Sequence, residues 1–222
     1  NNWLLTSEYG KQEDEYFNNH ATFFDVQTCV YSLFTGKQAD VRRRLDKITR
    51  SRLDSQIEAD GSQPFELDRT RPWHYSVFNL SAFVKLGLLG ERVGVNLWEH
   101  VTPKGASLQK MIERFFPYVS GEKTFEKQEL GGDLEVDELG DVLMKTADRF
   151  GVGNYRRQLE NLKTLSGGKY DVSTALCVLT HPILDGPVTS DADLFDALDL
   201  DYKGLEKVKA DVERGDYEAA KH

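Results

Sequence analysis

The sequence has few cysteines and no long apolar run. Only two cysteines, Cys29 and Cys177, occur among its 222 residues, which excludes a multi-disulfide scaffold and a cysteine-rich zinc framework. A single bridge between them and two separate buried thiols both remain open. No segment approaches the roughly 18 consecutive apolar residues of a spanning helix, so we expect no membrane span.

Basic residues are also in the minority. The chain has 28 Lys and Arg against 37 Asp and Glu, a formal net charge of -9. Proteins that hold a phosphate backbone need clustered cations, so we expect no nucleic-acid partner. One basic run, Arg42–Arg44 with Lys47, Arg50 and Arg52, either guides an acidic polymer or forms a solvated helix face with interspersed aspartates.

The apolar residues recur at intervals of three and four, which predicts a mainly α-helical protein. Short connections between helices predict antiparallel hairpins. Pro182, Gly186 and Pro187 indicate a linker. We therefore expect one helical domain over 1–185, and a linker with an amphipathic helix over 186–222. The predicted helices cover about 19–35, 39–58, 72–89, 106–116, 135–150, 154–165, 171–180 and 203–220.

Two polar segments stand at the starts of apolar helices. The first is Asn18-Asn19-His20, which an Asn helix cap followed by an ordinary histidine would also explain. The second runs from Arg69 to Tyr75, and its arginines could simply pair with Glu66 or Asp68.

Together these side chains suggest chemistry at a carboxylate. Asn19 and His20 can hydrogen-bond a carboxylate, and Arg69 or Arg71 can bind one through two N–H groups. A tyrosine such as Tyr75 can exchange a proton when a nearby cation stabilises its phenolate. This is the equipment for removing a proton next to a carboxylate.

The two segments carry a family resemblance. Residues 18–27 (NNHATFFDVQ) and 69–80 (RTRPWHYSVFNL) resemble the two signature segments of the alginate lyase superfamily, polysaccharide lyases whose catalytic domain is an (α/α) toroid. The separation of about 55 residues between His20 and Tyr75 also suits that family. The resemblance implies an all-α fold that is an incomplete (α/α) toroid. Because family members have a large part of the domain before the Asn-His motif, we expect this chain to be the C-terminal half, with the remainder of the toroid missing from it.

The resemblance also implies a reaction, β-elimination on an acidic polysaccharide or oligosaccharide of uronic acids such as alginate, polymannuronate or glucuronan. Asn19 and His20 match the pair that neutralises the C5 carboxylate. Arg69 matches the family's arginine, with Arg71 as the alternative because Pro72 disturbs the local register. Tyr75 matches the tyrosine that protonates the leaving O4 and, where C5–H and C4–O lie on the same side of the ring, also removes the C5 proton.

The same resemblance implies no cofactor, no metal ion and a secreted or periplasmic protein. Trp73 is a candidate to stack on a sugar ring, with plain packing as the alternative, and His74 is either a further binding residue or only a neighbour of Tyr75. A competing hypothesis is a helical domain that binds carbohydrate or is structural, without turnover.

The tail has a second resemblance. The stretch from Leu198 to Ala220 is similar to the opening helix of heparinase II/III-type lyases. This similarity implies that the parent polypeptide continues into another lyase-like module.

Overall fold

The structure is a computed structural model, and it describes residues 2–132, 134 and 136–167. In this part of the chain every regular element is helical, which confirms the all-α prediction. The elements are α1 (Asn2–Thr6), α2 (Glu8–Asp14), α3 (Asn19–Phe34), α4 (Gln38–Arg43), a π-helical segment (Arg44–Thr49), α5 (Arg50–Gln56), α6 (Pro64–Leu67), α7 (Pro72–Val93), α8 (Leu108–Glu113), α9 (Phe116–Val119), α10 (Asp137–Phe150) and α11 (Val152–Leu165).

Several predictions fall beyond these residues. Cys177, the helix at 171–180, the linker, the amphipathic helix and the boundary between the two predicted domains all lie outside the described residues. None of the described helices is long and apolar enough to cross a membrane.

Helix α7 forms the centre of the core and packs against α3, α6 and α10. Pro72 occupies its first turn, where the missing backbone N–H has no partner to lose. Gly94 ends the helix in the left-handed conformation, with φ of 73°. Its fully buried side chains include Val77, Leu80, Phe83, Leu86 and Leu88.

The sequence prediction ended this helix before Gly90, about one turn too early. Gly90 lies inside α7 because the carbonyl oxygen of Val95 packs directly against it. A Cβ at this position would lie 2.3 Å from that oxygen. The glycine therefore permits a close approach of the backbone and does not end the helix.

The bounds of helix α3 agree closely with the predicted ones. Asn18 is its N-cap, and the side chain accepts a hydrogen bond from the backbone N–H of His20 at 3.1 Å. Cys29 lies on the buried face of α3 as a free thiol, and burial raises its pKa above the ordinary range. The cysteine is thus a core residue of the helix that carries the first polar segment.

The helix predicted over 39–58 is interrupted by the π-helical segment. Hydrogen bonds from i to i+5 widen the turn and reduce the rotation per residue. As a result Arg44 and Arg52 both reach Asp25 of α3, which is completely buried. Asp25 accepts from Arg44 Nε at 2.7 Å and from Arg52 Nε at 2.9 Å, and both guanidinium groups also contact Asp14 of α2.

We call Asp14, Asp25, Arg44 and Arg52 the acid–arginine cluster. Arg44 and Arg52 are only 8% exposed, so they neither form a solvated face nor reach an acidic polymer. Both interpretations of the basic run are therefore wrong for these two arginines. Buried charges need partners, and the cluster joins α2, α3 and the helices that follow.

Helices α1 and α2 were not predicted. The hydroxyl of Ser7 caps α2 by accepting from the N–H of Gly10 at 3.1 Å. Gly10 lets the two helices meet, because a Cβ there would overlap the carbonyl oxygen of Leu4. Each helix is too short for hydrophobic periodicity to be recognised over a window of about 11 residues.

Helix α6 was also not predicted, and among the helices after α7 one prediction differs from the structure. The helices predicted at 135–150 and 154–165 are α10 and α11, which pack against each other. The single helix predicted over 106–116 is instead two short helices, α8 and α9, and Pro117 lies in the first turn of α9.

Candidate functional site

Asn19 is held by a buried glutamate from α6. Its backbone N–H donates to Glu66 Oε1 at 2.5 Å, and its side-chain Nδ2 donates to Oε1 at 3.2 Å and to Oε2 at 3.0 Å. Asn19 is 5% exposed and Glu66 is 1% exposed. A carboxylate in this position accepts a free N–H group of the first turn of α3 and is stabilised by the helix dipole.

The electrostatic state of Glu66 reflects its burial. Loss of hydration raises the pKa of this carboxyl above 4.5, although the hydrogen bonds from Asn19 and the positive charge of Arg69 act in the opposite direction. Arg69 Nη1 lies 3.9 Å from Glu66 Oε2, an ion pair without a direct hydrogen bond. Glu66 therefore gives up its proton less readily than a surface glutamate.

Arg69 also contacts Tyr75. The guanidinium carbon of Arg69 lies 4.0 Å from the centroid of the Tyr75 ring, a cation–π contact. Arg69 belongs to the loop between α6 and α7, and Tyr75 belongs to the first turns of α7. Both side chains are partly exposed, so solvent and ligands can reach this pair.

His20 is the most exposed of the predicted catalytic side chains, at 45%. Its Nδ1 lies 2.9 Å from Glu13 Oε2 of α2. The ring of Tyr16 lies 5.0 Å from the imidazole, centroid to centroid. The imidazole is thus held by residues of α2 and of the segment between α2 and α3.

A cleft of about 400 Å³ opens beside His20. This volume is in the range of small-molecule sites. Glu13, Asn19, His20 and Gln27 supply polar groups to its wall, and the aromatic part of the wall comes from Trp3, Tyr9, Phe23, Phe24 and Phe78. Arg69 and Tyr75 are not part of this wall.

Tyr75 is connected to the cleft through an aromatic row on α7. The ring of His74 lies 5.3 Å from the ring of Tyr75 and 5.8 Å from the ring of Phe78, measured between centroids. Phe78 stacks on Phe23 at 4.2 Å, and both rings line the cleft. One ring, that of His74, therefore separates Tyr75 from the cleft wall.

A buried network of amide side chains connects the start of α3 to α7. Asn79 of α7 donates to Gln56 Oε1 at 3.1 Å and to Gln63 Oε1 at 2.9 Å. Gln56 also accepts from Thr22 at 3.2 Å, and its Nε2 lies 3.5 Å from the Asn18 carbonyl oxygen. These buried hydrogen bonds connect the start of α3 to α7, although Asn79 Oδ1 itself has no hydrogen-bond partner among the described residues.

The remaining candidates near Tyr75 contact a different acid. Glu129 accepts from the backbone N–H of Trp73 at 3.0 Å and of His74 at 3.2 Å, and so caps the start of α7. Arg71 Nε lies 3.8 Å from the same carboxylate. Arg71 therefore helps to anchor the helix, whereas Arg69 is the arginine in contact with Tyr75.

The Trp73 ring is a packing residue. It is fully buried, and its edge-to-face contacts are with Phe115, Tyr118 and Phe125. A sugar ring has no access to it, which corrects the expectation of stacking.

Four side chains thus form one line of contacts, from Asn19 through Glu66 and Arg69 to Tyr75. We call this line the contact path. The structure brings three of the predicted catalytic residues onto the path, and the fourth, His20, adjoins Asn19 on the cleft wall.

Three glutamates of the site were missed. Glu66 was noticed only as an ion-pair partner, although its position three residues before Arg69 was a usable signal. Glu13 and Glu129 carry no local signal. The second lies 56 residues from Trp73 in the sequence, and only the fold brings the two together.

Comparisons with known proteins identify a family from one match and a fold from another. A family model described as alginate lyase matches residues 1–125. Among solved structures, the chain is similar to an alginate lyase from Bacteroides ovatus, with a TM-score of 0.67 and 22% sequence identity. The match covers 80% of this chain and 46% of that chain, and it confirms an incomplete (α/α) toroid as the fold class. A comparison with curated proteins gives no match.

Proposed function

The chain belongs to the alginate lyase family, and from that membership we propose that it is part of a polysaccharide lyase acting by β-elimination on a uronic-acid polysaccharide. The observation that carries the proposal is the contact path beside the cleft. It joins a carboxylate-binding amide to an arginine through Glu66, and the arginine directly to a tyrosine.

The chemical difficulty is the weak acidity of the C5 proton. A negative carboxylate on the same carbon opposes the build-up of further charge when that proton leaves. Hydrogen-bond donors held in place around the carboxylate stabilise the charge that develops in the transition state. We assign this task to Asn19 and His20, with Arg69 as the positive charge.

Glu66 positions the first of these donors, the amide group of Asn19. Its carboxyl holds the Asn19 amide in place, so a substrate carboxylate competes with Glu66 for that group. Asn19 is therefore positioned before substrate binds.

Tyr75 completes the elimination. The C5–H and C4–O bonds break, a C4=C5 double bond forms, and the leaving O4 takes a proton from Tyr75. On mannuronate or glucuronate, where both bonds lie on one side of the ring, Tyr75 also receives the C5 proton. One residue then serves as base and acid: Tyr75 begins as the phenolate beside the guanidinium of Arg69, takes the C5 proton, and as the neutral phenol gives a proton to O4, which returns the phenolate.

The test uses full-length protein with alginate, polymannuronate and glucuronan offered separately. The unsaturated product absorbs ultraviolet light, so turnover is read as a rise in absorbance. We expect Tyr75→Phe to abolish the rise while binding of the polymer, measured by calorimetry, is largely retained. Tyr31→Phe is the matched control, because it removes the same hydroxyl group from an exposed tyrosine, and it should keep full activity.

No rise with any of the polymers would contradict the lyase proposal. Binding without turnover would then favour the competing hypothesis, a non-catalytic carbohydrate-binding or structural helical domain. By analogy with the family, we also propose a secreted or periplasmic location.

A further inference from the structure

Glu13 and His20 form a pair at the edge of the cleft. A carboxylate can only accept a hydrogen bond, so the 2.9 Å contact from His20 Nδ1 to Glu13 Oε2 places a proton on Nδ1. The imidazole then has one polar atom left, Nε2. No other hydrogen bond to this ring is formed within the described part of the chain.

The direction of Nε2 follows from the shape of the ring. The two nitrogens point to different sides of an imidazole, so a ring whose Nδ1 faces α2 directs Nε2 away from that helix. His20 lines the cleft, and the Tyr16 ring lies against it at 5.0 Å. With Nδ1 bound to Glu13, Nε2 is the ring nitrogen left for a ligand in the cleft that His20 lines.

Helix α2 is a firm support for this carboxylate. Asp14, the neighbour of Glu13, is bound by the guanidinium groups of Arg44 and Arg52, and its backbone oxygen accepts from Arg52 Nη1 at 2.9 Å. These arginines are in turn fixed by the buried Asp25. The acid–arginine cluster thus holds the end of α2 that carries Glu13.

We propose that Glu13 is a positioning residue for His20, which it orients so that Nε2 faces the carboxyl group of a bound uronate. The inference rests on the proposed lyase function and deepens it. In either protonation state of the ring, Nδ1–H stays on Glu13; as an imidazolium, His20 also donates from Nε2 to the substrate carboxylate. A donor that is oriented before binding reduces the entropy lost in reaching the transition state.

Kinetics of the full-length protein test the role. Glu13→Ala removes the hydrogen bond and should lower kcat about tenfold or more, with a much smaller change in KM. Glu13→Gln keeps an oxygen that accepts from Nδ1–H and should restore most of the lost kcat. Glu15→Ala removes a negative charge two residues away, beyond the last turn of α2, and should leave kcat unchanged.

Equal losses in Glu13→Ala and Glu15→Ala would overturn the proposal, since they would show an effect of charge alone. A loss in Glu13→Gln as large as that in Glu13→Ala would also overturn it. Thermal unfolding of each variant checks that the fold is intact.

A second readout does not depend on turnover. The ring nitrogens of His20 can be assigned by NMR at a pH where the ring is neutral. We expect the proton on Nδ1 in the unmodified protein and in Glu13→Gln, and a shift toward Nε2 in Glu13→Ala. A proton on Nε2 in the unmodified protein would overturn the positioning role. If instead no polymer is cleaved but the expected pattern is observed, only the lyase function fails.

Discussion

The carboxylate of Glu66 receives three hydrogen bonds from Asn19, one from the backbone N–H and two from the side-chain amide. Both residues are buried. The pair joins α6 to the first turn of α3, which is the point where the family motif begins.

Glu66→Ala should therefore destabilise the fold and remove activity together. It leaves the N–H groups of Asn19 buried without an acceptor, which costs about 1–3 kcal/mol for an unsatisfied group. Chemical denaturation measures the loss. Glu58→Ala is the matched control, because its pair with Lys104 is nearly half exposed and should contribute less than about 1 kcal/mol. Equal losses in the two variants would contradict a special role for Glu66.

The same carboxyl should leave a mark on the pH dependence of stability. Its pKa in the folded protein is raised above 4.5, so the folded state binds more protons than the unfolded state between the two pKa values. The contribution of Glu66 is thus fully present below the unfolded pKa and is lost as the pH rises through the folded pKa. The free energy of unfolding, compared with that of Glu66→Gln, should fall over this range. A difference that stays constant with pH would show that burial does not perturb Glu66.

Asp25 lies between two buried guanidinium groups, and its neutralisation should be costly. Asp25→Asn keeps the shape of the side chain but removes the fully buried carboxylate that Arg44 and Arg52 share. Breaking a buried ion pair on one side costs about 3–5 kcal/mol. Urea unfolding should show a loss of this size.

Asp40→Asn is the control for that experiment. Its pair with Arg43 is exposed on both sides, and its loss should cost about 1 kcal/mol or less. A comparable loss in both variants would mean that the acid–arginine cluster contributes no more than a surface pair.

The sequence alone predicted the helices with long apolar stripes, such as α3 and α10, because their periodicity repeats over several turns. It missed α1 and α2, which are too short to show a period. It also misjudged Gly90, whose role depends on close packing of the Val95 carbonyl group. It misjudged the basic run because Arg44 and Arg52 bind Asp25, a residue distant in the sequence. A close approach of backbone or a buried counter-ion leaves no local pattern.

The residues of the candidate site also divide into those that the sequence could predict and those that it could not. Asn19, His20, Arg69 and Tyr75 stand in two short motifs, so their residue types could be recognised before the fold was known. Glu13 and Glu129, which hold His20 and the start of α7, sit in segments without a motif. Groups that orient another residue act through their position in the fold, which the local sequence does not show.

The packing of Trp98 against Gly87 gives the sharpest test of the core. A Cβ on Gly87 would lie 2.5 Å from two carbon atoms of the Trp98 ring, inside the contact distance of real side chains. The ring is held by a hydrogen bond from its Nε1 to Glu91 at 2.6 Å and by the guanidinium of Arg149 at 5.1 Å. It has little room to shift.

Gly87→Ala should therefore destabilise the protein by about 1–3 kcal/mol, although alanine is the better helix former. Gly153→Ala is the matched control, because Gly153 lies in α11 with no atom within 4 Å of the added Cβ. It should be neutral or stabilise the protein by up to about 1 kcal/mol. Thermal unfolding followed by tryptophan fluorescence measures both variants. The opposite signs are the informative result, since equal shifts would mean that helix propensity, and not contact with Trp98, decides the stability at Gly87.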